Sequence, residues 1–133
     1  MKNSKRVLIT GGAQRIGSSI TKHLANKGFD VAIQYNKSHS NIDKLKTLLK
    51  TTSVKFKAFQ FNFRKAKNYE GFFKKIKKDF GDIDILINNA SAFEFDSIKK
   101  TSHEIFDNHI DVNLKAPFFL SKCYVENYKK KMV

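Results

Sequence analysis

At 133 residues, 41% hydrophobic and 29% charged, the chain is long enough for one buried core and too apolar for intrinsic disorder. A net charge of +14 raises nucleic acid as a partner, yet only Arg6, Arg15 and Arg64 are arginines and the lysines are spread along the chain and its long helices, so compositional bias is the better reading and no nucleic-acid partner is expected. The lone Cys123 excludes an internal disulfide and fits a cytoplasmic location, and no apolar run is long enough for a signal peptide or a membrane span, so no membrane partner is expected.

The chain opens on a strand, Arg6 to Ile9, running through Thr10 into Gly11-Gly12-Ala13-Gln14-Arg15-Ile16-Gly17. Ile16, Ile20 and Leu24 then recur at helical spacing, and Asn26-Lys27-Gly28 ends that helix. Val31 to Tyr35 reads as a second strand. Ser40 or Asn41 can cap a helix that turns Ile42, Leu45, Leu48 and Leu49 inward. Phe56 to Phe61 is a third strand. Tyr69, Phe72, Phe73, Ile76 and Phe80 mark a helix closed by Gly81, and the Phe-rich face is core. Ile83 to Ile87 is the fourth and most apolar strand. A short helix near Thr101 to Asn108 and a longer one from about Ile110 to Lys130 follow, the latter bent at Pro117, with Lys129 to Lys131 suiting its C-terminus.

Strands alternating with helices predict an α/β architecture, a parallel sheet covered on both faces. Right-handed crossovers and the leading glycine turn favour strand order 3-2-1-4, the first part of a doubly wound, Rossmann-type sheet. Ligands in such sheets bind beyond the carboxyl ends of the strands. Polar residues collect at four of those ends: Thr10 to Gly17, Asn36 to Ser38, Asn62, and Asn88 to Ser91. Gly11 and Gly12 leave backbone open to a ligand, Gly17 lets the helix approach the strand, and the helix N–H groups face an anion. An ordinary connection at the glycines and a capping turn at Asn88-Asn89 are the bland alternatives.

The cofactor follows from charge. An NAD site wants an acid about 20 residues past the glycine turn. Gln34 to Ser38 holds no carboxylate there, while Arg15, Lys37 and Ser38 suit a 2′-phosphate dianion, which favours NADPH. Lys37 as one more solvated lysine remains the competing view. His103, Glu104, Asp107, His109 and Asp111 cluster without a metal-ligand spacing, and no metal is expected.

Thr10-Gly11, Gly17, Asn88-Asn89-Ala90 and Asp111-Val112-Asn113 resemble, in order and approximate spacing, the markers of short-chain dehydrogenases/reductases. The likeness spans the whole chain but corresponds to about the first half of a usual member. Arg15 replaces a common glycine, and Ser91 follows Asn-Asn-Ala where Gly is usual. Both departures, with Phe93, resemble the pteridine reductase branch. The resemblance implies a cofactor site of Thr10, Gly11, Arg15, Ile16, Gly17, Asn36, Lys37, Ser38, Asn62, Asn88, Asn89 and Ala90. Within it Arg15 helps hold NADPH, Asn62 faces the adenine, and Asn88 and Ala90 lie along the ribose. It further implies that Phe93 stacks on a pterin with Ser91 beside it, that Asn113 belongs to the catalytic group and holds a water in the proton path, and that Asp84 steadies the fourth strand.

The family's Tyr-x-x-x-Lys pair is missing: no Tyr here has Lys at the fourth following position, and no fifth strand carries the catalytic Ser. Residues 1–133 are therefore read as the NADP-binding portion of a longer reductase acting on a pteridine-like C=N or a carbonyl of a small molecule, homo-oligomeric at full length. A carbonyl or 3-oxoacyl reductase of the same family is one alternative, and a catalytically incomplete nucleotide-binding fragment with an apolar, unpaired fourth strand is the other.

Overall fold

The structure, a computed structural model, describes residues 4–128. Strands β1 (Arg6–Thr10), β2 (Asp30–Tyr35), β3 (Phe56–Gln60) and β4 (Ile85–Ile87) form one sheet in the order β3-β2-β1-β4. Every pairing is parallel, with Leu8 opposite Ala32 on one side and Leu86 on the other. Helices α1 (Arg15–Asn26) and α2 (His39–Leu49) cover one face. Helices α3 (Tyr69–Phe80) and α5 (Ala116–Asn127) cover the other. The expected doubly wound arrangement is the observed one.

Alternation along the strands divides the core in two, since successive side chains point to opposite faces. Val7, Ile9, Val31 and Ile33 pack with Ile42, Leu45 and Leu49, whereas Leu8 and Ala32 pack with Phe72, Phe73, Ile76 and Leu120. Because both faces are covered, β1 and β2 read as continuous apolar runs. Asp84 fixes the outer strand: its carboxylate accepts from the Arg6 N–H at 2.9 Å, and its carbonyl accepts from the Tyr124 hydroxyl at 2.6 Å. Burial, and secondarily the charge of Asp111, raises the pKa of Tyr69 in this core.

Several boundaries differ from expectation. Helix α2 begins at His39, capped at Ser38 and not at Ser40 or Asn41. Leu48 lies on the flank of α2 and is half-exposed, leaving Ile42, Leu45 and Leu49 as the buried face. Ile16 is 71% exposed, so the inward face of α1 starts at Gly17 and continues through Ile20 and Thr21. Phe61 lies just past β3, although its N–H still donates to the Tyr35 carbonyl, and β4 is shorter than the predicted strand.

The expected break near Asn108 is absent: α4 (His103–Ile110) runs directly into a π turn (Asp111–Lys115) and then α5. Pro117 sits in the first turn of α5, and the irregularity precedes it. A proline ring crowds the carbonyl four residues back, here that of Asn113; widening the intervening turn carries the backbone past the ring. Lys129 to Lys131 lie outside the described residues. Among those described, no helix is long and apolar enough to cross a membrane.

Ile76 is fully buried at the centre of the α3 face. Ile76→Ala should cost about 2–5 kcal/mol of unfolding free energy, read as a lower urea midpoint at unchanged slope.

Candidate functional site

The carboxyl ends of β1 and β2 meet a turn with no room for side chains. Gly11 takes φ +62°, and a Cβ on Gly17 would lie 1.9 Å from the Gly11 carbonyl oxygen. Buried Gln34 locks the turn from beneath. Its Oε1 accepts from the Gly11 N–H at 2.9 Å while its Nε2 donates to the Phe61 carbonyl at 2.6 Å. Thr21 closes the other side by donating to the Gly12 carbonyl at 3.0 Å. The first turn of α1 carries no acidic residue and its Gln14 cap makes no side-chain bond to it, so the helix end presents unpaired N–H groups. Arg15 opens that helix at φ +47°, a conformation that costs a non-glycine residue on the order of 1–3 kcal/mol.

Across the turn, Gln14 Nε2 donates to the Ser38 hydroxyl. That bond explains why Ser38, the N-cap of α2, makes no capping bond to its own helix. Asn36 and Lys37 stand beside it, with the Asn36 carbonyl accepting from Gln60. Asn62 folds back to accept from the Arg64 N–H at 2.9 Å.

The far wall is stitched to the turn by Thr10 and Asn89. The Thr10 hydroxyl accepts from the Asn89 and Ala90 N–H groups at 3.0 Å each, and Asn89 Nδ2 donates to the Thr10 and Gly11 carbonyls. Asn88 points elsewhere: its amide donates to Ser121 on α5. Beyond Ala90 and Ser91 the strand becomes an extended strap laid on α4 and the π turn. Asn113 takes Ala92 at both ends, accepting from its N–H at 2.7 Å and donating to its carbonyl at 2.9 Å. His109 Nε2 accepts from the Glu94 N–H, and Asn108 donates to the Glu94 carboxylate. Phe93 projects from the strap, 78% exposed, edge-on to Phe95 at 5.4 Å between ring centres.

These parts enclose a cleft of about 560 Å³. Gly11, Arg15, Ile16, Gly17, Asn36, Lys37, Ser38, Asn62, Asn89, Ala90 and Ser91 line it; Thr10 lies beneath, and the side chains of Asn88, Phe93 and Asn113 are directed to α5, outward and to the strap. Its lining holds Arg15, Lys37 and Arg64 and no carboxylate. Arg64 is paired with Glu104 on α4, leaving Arg15 and Lys37 as its cations without a salt-bridge partner among the described residues. Gln34, Gln14, Arg64, Asn108 and Val112 are lining residues that sequence reasoning missed. Gln14 sits within the Thr10–Gly17 turn, Val112 within the Asp111–Asn113 marker and Gln34 near the end of an apolar strand, so each left a signal; Arg64 and Asn108 left none.

The short chain dehydrogenase family model matches residues 5–132. The chain belongs to the short-chain dehydrogenase family. Among its relatives, FabG of Staphylococcus aureus, a 3-oxoacyl-[acyl-carrier-protein] reductase, is 32% identical over 118 residues, which are 89% of this chain and 48% of the relative. An uncharacterized oxidoreductase of Thermotoga maritima is 36% identical over 129 residues, 95% of this chain and 49% of that one. Of solved structures, FolM alternative dihydrofolate reductase 1 of Brucella canis, complexed with NADP, superposes with a TM-score of 0.87 at 30% identity, covering 96% of this chain and 52% of that one. A short-chain dehydrogenase of Burkholderia cenocepacia in complex with NADP gives 0.86 at 30% identity, over 92% and 50%. This short-chain dehydrogenase chain thus spans about half the length of the relatives it matches.

Thr10 is buried and its hydroxyl is the sole oxygen receiving the Asn89 and Ala90 N–H groups in this stitch. Thr10→Val keeps the shape and strands both donors, at about 1–3 kcal/mol apiece. Chemical denaturation should show a total loss of about 2–6 kcal/mol, with faster amide exchange at residues 89 and 90.

Proposed function

We propose that residues 1–133 are the dinucleotide-binding portion of a longer reductase and that the cleft takes NADPH. The observation that carries this reading is the cleft lining: Arg15 and Lys37 beside an acid-free helix N-terminus, with no carboxylate among the lining residues. The NADP in the FolM and Burkholderia structures supports it. The residues fit the group. Gly11 and Gly17 leave the backbone bare where a diphosphate approaches, and the free N–H groups of α1 supply donors to it. Arg15, Lys37 and the Ser38 hydroxyl hold the 2′-phosphate, with Asn36 and Ile16 beside it; Asn62 offers its side-chain amide to the adenine. Thr10 and Asn89 hold the wall on which Ala90 and the Asn88 backbone flank the ribose.

When bound, the nicotinamide supplies a hydride from its C4. Ser91 and Phe93 receive a flat, dihydropteridine-like acceptor, and the exposed ring of Phe93 supports stacking. Asn113 fixes the strap carrying both residues and supports the proton path. A 3-oxoacyl thioester is the second substrate reading, favoured by the likeness to FabG. No Tyr in the 133 residues is followed at the fourth position by Lys, so turnover is assigned to a longer chain and binding to this one. Exposed Phe106, Ile110, Leu114 and Phe118, at spacings of four, support homo-oligomerisation through α4 and α5 in a cytoplasmic setting.

Titration calorimetry of the chain with NADPH and NADH tests the cofactor. NADPH should bind more tightly, and Arg15→Ala with Lys37→Ala should remove about 10- to 100-fold of that preference per charge-assisted bond lost. An unchanged preference overturns the assignment. With NADPH present, 7,8-dihydrobiopterin should bind and Phe93→Ala should weaken it about 3- to 10-fold; binding of an acetoacetyl thioester instead selects the second substrate.

A further inference from the structure

We propose that Asp111 is a positioning residue that couples the two ends of the cleft, holding the Asn62–Lys65 loop and, through the π turn it opens, the Ala92 strap. Asp111 Oδ2 accepts from the Lys65 N–H at 2.8 Å, and Lys65 stands at φ +55°, a left-handed backbone that a non-glycine residue keeps only under outside constraint. Asn62 and Arg64, immediately before it, line one end of the cleft. Two residues after Asp111, Asn113 grips Ala92 by both its N–H and its carbonyl, and Ser91 and Ala92 line the other end.

No hydrogen bond joins the two loops directly among the described residues; α4 holds Arg64 through Glu104 and Glu94 through Asn108 and His109, and the turn Asp111–Lys115 holds Lys65 and Ala92 themselves. That turn is one residue wider per repeat than the α-helix on either side. A slip to α register turns a side chain by roughly 100° about the axis, so Asp111 and Asn113 cannot both keep their partners. The wide turn is thus an element with two registers, and both loops bias it toward the same one.

The test is backbone amide exchange followed by NMR on the 133-residue chain, which needs no ligand. Asp111→Ala should accelerate exchange at Lys65 and also at Ala92, each by about 10-fold or more, with Leu8 and Ile9 unchanged. Asp111→Asn, which keeps an acceptor oxygen, should restore most of the protection at both. If Ala92 stays protected while Lys65 is freed, or if Leu8 and Ile9 lose protection equally, the coupling is wrong. Should Asp111→Ala not fold, Asn113→Ala read at Lys65 gives the reciprocal measurement, with the same two outcomes.

A second arm rests on the dinucleotide reading. Adenosine 2′,5′-bisphosphate and reduced nicotinamide mononucleotide should each tighten the other's binding by about 5-fold, and Asp111→Ala should abolish the effect. Failure of either to bind the unsubstituted chain counts against the cofactor and leaves the exchange result to decide the coupling.

Discussion

Everything in the cleft depends on the contact between Gly17 and the Gly11 carbonyl. With a Cβ on Gly17 at 1.9 Å from that oxygen, α1 would have to withdraw from the end of β1. The turn would then open, Gln34 would lose the Gly11 N–H, and the unpaired N–H groups of α1 would no longer face the same space as the ends of β2 and β4. The wall formed by Asn89 is tied to the same turn, since its amide donates to the Thr10 and Gly11 carbonyls. One steric condition therefore sets the position of three strand ends.

Onto that frame the chain places charge at a conformational cost. Arg15 occupies a left-handed position that glycine would take freely, and nothing in the local packing asks for an arginine there. The strain is of the same order as one charge-assisted hydrogen bond, about 1–3 kcal/mol. A residue held in this way makes sense where its guanidinium meets an anion. The Gln14–Ser38 bond has a similar logic. It draws the Ser38 hydroxyl across the turn and leaves the first turn of α2, like that of α1, without a side-chain cap. The N-terminus of α1 and two cations, without salt-bridge partners among the described residues, then face one cleft, with the N-cap of α2 at its edge and no negative charge in its lining.

The fold was legible because its signals are repeated. Leu8 and Ala32 on one face, with Val7, Ile9, Val31 and Ile33 on the other, report a sheet covered on both sides, and four strand ends agree on where polar residues collect. Single positions were less readable. Ile16 and Leu48 satisfy a helical period yet face the cleft and the flank of α2, because periodicity cannot tell the last residue of a face from the first one beyond it. Ser40 and Asn41 carry capping side chains, yet α2 starts earlier, after Ser38, whose hydroxyl is taken by Gln14, a residue 24 positions away. Proline marked the neighbourhood of the helix irregularity and not its place, since the backbone relieved the clash one turn upstream. Asn88 and Asn89 are adjacent and chemically identical, yet one serves α5 and the other the glycine turn, a division set by strand alternation at the end of β4.

The two walls of the cleft also differ in what holds them. The glycine turn rests on β1 and β2, buried at every residue but Arg6 and Tyr35. The opposite wall rests on α4, which buries none of its residues and is joined to the rest by polar contacts: Glu104 to Arg64, Asn108 and His109 to Glu94, and, just beyond it, Asp111 to Lys65 and Asn113 to Ala92. Exposed hydrogen bonds of this kind contribute about 0.5–1.5 kcal/mol each, so this wall opens at a lower free energy than the glycine turn opposite it. Its exposed apolar residues, Phe106, Ile110, Leu114 and Phe118, do not face the cleft. Whatever covers them would therefore stabilise the strap from behind without entering the site. Packing on the outer face of α4 therefore bears on the order of the Ser91–Phe93 segment, through a surface remote from the cleft.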